Sequence, residues 1–84
     1  MRRSGTVAII DQDQGAAAIA TADRGYTIIE LDPEWTIAVG DTIAWDSGDD
    51  LGFQSYENVG NGTRGDIFVQ NHDVSEKALK LQFG

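Results

Sequence analysis

The chain has no cysteine, one proline, one histidine and one methionine in 84 residues. Without cysteine there can be no disulfide, and this composition fits a reducing compartment; we expect a cytoplasmic protein. A single histidine and no thiol leave no recognisable metal-ligand spacing, so no cofactor or structural metal is expected. Long apolar runs are also missing. The longest run near the N-terminus, Val7 to Ile10, is far too short for a secretory core or a membrane span, and no membrane contact is expected.

Positive charge is scarce and unevenly placed. Fourteen acids against six bases give a net charge of −8. Arg2 and Arg3 open the chain, Arg64, Lys77 and Lys80 lie towards its end, and Arg24 stands alone between them. From Gly25 to Thr63 there are eight acids and no base. Such a body repels phosphate backbones at long range, which makes nucleic acid the less favoured partner.

What is present is a series of short apolar runs separated by turn clusters, the spacing of a small barrel or sandwich. Strands are predicted at about 5–10, 16–22, 26–31, 42–46, 53–59 and 66–70. DQDQG (Asp11 to Gly15) and ADRG (Ala22 to Gly25) read as hairpin turns, with Gly25 suited to a left-handed position. The alanines of AAAIATA suit a helix, but two turns so close together leave room only for a strand. Pro33 ends the third strand. Asp73 and Glu76 have capping-box spacing, which predicts a helix over about 74–82, with Val74, Ala78 and Leu81 on its docking face and Leu79 and Phe83 beside it. The fold class is therefore mostly β: one domain, a small OB-like barrel of five to six antiparallel strands with a short C-terminal helix.

Three segments carry a resemblance: SGTV (Ser4 to Val7), GDTIAWD (Gly40 to Asp46) and GFQSYENV (Gly52 to Val59). Together they resemble the cold-shock domain, an OB-fold family, over residues 4–59. The same string is also similar to a group of small uncharacterised bacterial proteins. The cold-shock likeness implies a single-strand binder that stacks bases on aromatics of its second and third strands. Those strands here are QGAAAIA and GYTIIEL, which keep one aromatic, Tyr26, and add an acid, Glu30. Base stacking contributes about 1–3 kcal/mol per base, so this loss removes most of the expected affinity. Phe68, Asn71 and His72 imitate the missing motif, but later in the chain, where edge packing and a lead-in to the helix is the preferred reading.

Other motifs reduce to turn chemistry. Arg64-Gly65-Asp66 matches an integrin triplet and Asn61-Gly62-Thr63 a glycosylation sequon, both read as parts of a hairpin turn. DSGDD (Asp46 to Asp50) lacks the spacing of a calcium loop. His72 could pair with Asp66, Asp73 or Glu76 as a general base, but a surface histidine beside a helix start is preferred. Trp45 shares a strand face with Ile43 and should be buried or half-buried. Trp35 either anchors an interface or caps one end of the barrel. No enzyme is expected. The sequence points to a non-catalytic binding module for a protein partner or a second copy, and the alternative is single-strand nucleic-acid binding. The possible surface comprises Tyr26, Trp35, Phe68, Asn71 and His72. Ala16, Ala18, Ile19 and Ile28 would form an apolar sheet covered by that partner or by the C-terminal helix.

Overall fold

The computed structural model describes residues 2–22 and 25–84. Six strands form the wall: β1 (Arg3–Asp11), β2 (Ala16–Thr21), β3 (Tyr26–Glu30), β4 (Thr42–Trp45), β5 (Gly52–Asn58) and β6 (Thr63–Val74), followed by helix α1 (Glu76–Phe83). They close into a barrel in the order β1-β2-β3-β6-β5-β4, with every pairing antiparallel. The chain thus makes two three-stranded meanders joined along β1–β4 and β3–β6. This is consistent with an OB-like fold, though closed and six-stranded where the OB barrel has five strands and is partly open.

Strand β1 serves both halves. Arg3–Thr6 pair with β4, while Gly5–Asp11 pair with β2 across a bulge between Val7 and Ile9. A bulge bends its strand and increases twist, which is how one strand can feed two sheets. Gly5 stands at the overlap, opposite both Thr21 and Ile43.

The interior is filled by alternate residues of each strand. Val7, Ile19, Ile29, Ile43, Trp45, Tyr56, Ile67 and Val69 are all buried there. A second apolar cluster lies outside the barrel, where Leu79 of α1 packs on Ala18 and Ile28, flanked by Ile9, Tyr26, Val74 and Phe83. The alanines of β2 now have a reason. Ala16 to Ile19 are buried in succession, because one face of β2 meets the core and the other meets the helix. Small side chains let both layers approach.

Three expectations need correction. β6 runs from Thr63 to Val74, not 66–70, so Arg64-Gly65-Asp66 lies in a strand rather than a turn. The turn is Val59–Gly62, with Gly62 at φ 71°. The helix begins at Glu76 and its cap is Ser75, whose Oγ accepts from the Ala78 N–H at 3.1 Å. Asp73 does not cap it: Val74 is still paired with Tyr26 in β6, and Asp73 before it holds a left-handed φ of 55°. Lastly, Leu79 is the buried helix residue, while Ala78 is exposed and Leu81 is 83% exposed. Val74 belongs to β6, so the helix docks through Leu79 and Phe83, four residues apart on one face.

Turn chemistry explains the connections. The Asp11 carboxylate accepts from the Asp13 and Gln14 N–H groups, and Gly15 follows at φ 64°. Gln14 also donates to the Gln82 carbonyl at 2.7 Å, tying the end of α1 to this turn. The Ala22–Gly25 turn, with Gly25's left-handed role, depends on Asp23 and Arg24, which lie outside the described residues. Asp32 opens a turn closed by the Trp35 N–H on the Asp32 carbonyl at 3.0 Å, with Pro33 supplying the fixed φ.

Candidate functional site

The five candidate residues fall into separate environments. Tyr26 is half-buried beside the cluster under α1. Trp35 is only 5% exposed. Its indole N–H donates to Thr63 Oγ1 at 3.1 Å, and its ring lies against Gly65. Of the two roles left open for Trp35, capping the barrel is the one its burial satisfies. Asn71 is exposed, and its side-chain oxygen accepts from the His72 N–H at 2.9 Å.

His72 sits in β6 rather than on the surface beside a helix start. It is half-buried at one mouth of the barrel, with Nδ1 2.9 Å from Thr27 Oγ1 and its ring centroid 6.2 Å from that of Trp45. Nε2 lies 3.4 Å from the Asp50 carbonyl. The ring therefore meets a hydroxyl and a backbone carbonyl, not Asp66, Asp73 or Glu76. Among the described residues, no three histidine or acidic side chains are grouped to hold a metal ion.

The same mouth holds the best-built aromatic layer. Trp45 and Tyr56 face each other across β4 and β5 with centroids 4.5 Å apart and planes 1° from parallel. Arg3 lies over the Trp45 ring at 5.9 Å, bonds Asp49, and reaches Asp73 at 3.4 Å. The Tyr56 hydroxyl is buried with no hydrogen-bond partner among the described residues. Burial pushes its phenol well above the ordinary tyrosine range, with Asp49 adding to the rise and Arg3 opposing it.

That hydroxyl carries a prediction. A buried polar group without a partner costs about 1–3 kcal/mol, so Tyr56→Phe should keep the fold and gain about 1 kcal/mol in thermal or urea melts. A raised folded-state pKa means the unfolded chain gives up the proton first. The neutral phenol's contribution is complete below about pH 10 and is lost as pH climbs beyond it. Wild type should therefore lose more stability than Tyr56→Phe between pH 9 and 11.

Phe68 is half-buried on the outer face of β6, and beside it stands an aromatic that no sequence motif singles out. Phe53 stands directly opposite Phe68 in the β5–β6 register, edge to face at 5.2 Å, and is 73% exposed. The hairpin's outer face continues with Ser55 opposite Asp66 and Glu57 opposite Arg64. The signal was available: a turn centred between residues 60 and 61 pairs 53 with 68. Beside the two rings lies a shallow cleft of about 250 Å³, bounded by Glu30, Asp32, Pro33 and Asp66. Helix α1 packs over β2 and β3 and leaves this face uncovered.

No family model matches the chain, and no curated protein or solved structure matches it either. No helix is long and apolar enough to cross a membrane among the described residues.

Proposed function

We propose that this barrel is a non-catalytic binding module that takes a protein partner on the outer face of β5 and β6, through Phe53 and Phe68. The pairing of exposed Phe53 with half-buried Phe68 carries the reading. Large aromatics anchor protein interfaces because they bury much area at small entropic cost. The sheet of Ala16, Ala18, Ile19 and Ile28, which first suggested a partner, is buried by the protein itself. The interaction surface therefore moves to the other side of the barrel. A cytoplasmic setting belongs to the same proposal, on the lack of cysteine.

Single-strand nucleic-acid binding in the manner of a cold-shock domain is the second reading, favoured by one observation. Two aromatics on an outer strand face could stack bases. The carboxylates of Glu30, Asp32 and Asp66 around them oppose a phosphate chain, and the net charge of −8 opposes it at long range.

The test is a photo-crosslinking amino acid placed at position 53, and separately at exposed Val39, in producing cells. A protein adduct specific to position 53 is the expected result. Titration with 20-nucleotide single-stranded DNA and RNA at low salt decides the alternative: tight, salt-sensitive binding lost in Phe53→Ser would replace the protein reading. Phe53→Ser should change stability by no more than about 1 kcal/mol, the usual worth of a cross-strand pair.

A further inference from the structure

We propose that the partner presents a cationic segment to this face, placing an arginine or lysine side chain across Phe53 and Phe68. The inference rests on the reading of that face as a protein-binding surface, and adds the chemistry of what it takes. Three carboxylates, Glu30, Asp32 and Asp66, bound the cleft beside the rings, and among the described residues no lysine or arginine lines it. Their positions follow from the strands. Asp66 and Phe68 alternate on β6 and share its outer face, and Asp66 stands opposite Ser55, which offers no charge. Glu30 ends β3, where its carboxylate accepts from neutral Gln70 at 3.2 Å. Among the described residues the Asp32 carboxylate accepts only the Glu34 backbone N–H, at 2.9 Å.

The nearest base along the hairpin is already engaged elsewhere. Arg64 lies 3.6 Å from the Glu57 carboxylate, which Arg2 also holds at 2.9 Å. The cleft thus combines an exposed phenylalanine and its half-buried partner with acids that have no cationic partner among the described residues. A cation over an aromatic face is attracted by the ring quadrupole. The planar guanidinium of arginine can lie on a ring while its N–H donors reach a carboxylate. A lysine can lay its methylene stem on the rings and carry its ammonium to the acids. Acidic or neutral partners satisfy only the apolar half of the site.

A second copy of this chain fits poorly. A two-fold contact through the same patch would oppose each copy's Glu30, Asp32 and Asp66 to the other's, between bodies that each carry −8. A phosphate backbone meets the same repulsion.

The experiment is titration of the full 15N-labelled chain, followed by backbone chemical shifts, with three probes at 50 mM salt. These are acetyl-Gly-Arg-Gly-Arg-Gly-amide, the same peptide with citrulline for arginine, and a uridine 10-mer. The expected result is saturable shifts from the arginine peptide at residues 30–32, 53 and 66–68. They should weaken about tenfold with citrulline, with Phe53→Ala, and with the combined Glu30→Gln, Asp32→Asn and Asp66→Asn variant. Equal binding of the arginine and citrulline peptides would overturn the cationic preference and leave the docking face standing. Shifts spread over Asp46 to Asp50 and other acidic loops, indifferent to Phe53→Ala, would overturn this proposal and count against the docking face. The uridine 10-mer binding tightest at these residues, or shifts there that depend only on protein concentration, would replace the cationic segment by nucleic acid or by a second copy.

Discussion

Gly5→Ala is expected to cost at least about 3 kcal/mol, the upper end of what over-packing a tight site usually costs. A carbon added at Gly5 would lie 2.7 Å from the Ile19 Cγ2 and closer still to the Ala20 carbonyl oxygen. The second obstacle is backbone, so no rotamer change relieves it. Gly5 is also where β1 is paired on both sides, to β2 at Thr21 and to β4 at Ile43. Moving it away from Ala20 pushes it into the other half of the barrel. For a small domain, whose whole stability is about 5–15 kcal/mol, that is a large fraction. Urea unfolding of Gly5→Ala beside Gly60→Ala checks the argument. At Gly60 the added carbon meets only the Asn58 side-chain oxygen, at an ordinary 3.5 Å, and the change should stay within about 0.5 kcal/mol. Equal costs at the two positions would refute it.

Most of the barrel was legible because its signals are local. Asp11 to Gly15 and residues 59–62 carry turn residues, and the runs between them alternate inward and outward as strands must. Phe53, Ser55 and Glu57 do face away from Gln54, Tyr56 and Asn58, as their alternation implies. The helix start was misread for an equally physical reason. Asp73 and Ser75 are both good caps, each with a residue to receive it three positions on. What decides between them is the pairing of Val74 with Tyr26, a contact 48 positions apart that local pattern does not contain. The length of β6 is fixed by the same long-range pairing. Gly5 looks like any strand-opening glycine until two partner strands are known.

The site was legible only in part. Phe68 stands out by its likeness to a cold-shock string, and it is the half-buried member of the aromatic pair. Asn71 and His72 came from the same string, yet the turn of the chain takes His72 towards Thr27 and Trp45, inside the mouth. Phe53 belongs to no motif that would single it out. Its alternation partners, Ser55 and Glu57, already marked that face as the outer one. Charge, by contrast, was readable from the start. The base-free stretch from Gly25 to Thr63 supplies Glu30 and Asp32, and the fold adds Asp66 beside them.

Trp35 ties stability to that surface, and its removal should have the largest effect of any side-chain truncation outside the barrel strands. Trp35→Ala is expected to cost about 3–5 kcal/mol, the usual range for truncating a buried tryptophan. The indole is held by Thr63 and lies on Gly65, where an added carbon would sit 2.8 Å from Cγ and 3.0 Å from Cβ and Cδ2. Glycine is needed at 65 because the ring occupies the space of a side chain. Gly65→Ala alone should therefore destabilise by about 1–3 kcal/mol. In the Trp35→Ala background the obstacle is gone, and the added methyl group fills part of the cavity. There, Gly65→Ala should be neutral or stabilising, giving a coupling of about 1–3 kcal/mol in a double-mutant cycle. Simple additivity would mean that the ring does not rest on Gly65. The same contact reaches the binding face. Gly65 precedes Asp66 on β6, and Asp32 and Pro33, which bound the cleft, lie in the turn that delivers Trp35. Loss of the indole frees that turn from β6, so Trp35→Ala should also broaden the amide signals of residues 31, 32, 34 and 66–68, while those of Leu79 and its neighbours under α1, across the barrel, stay sharp.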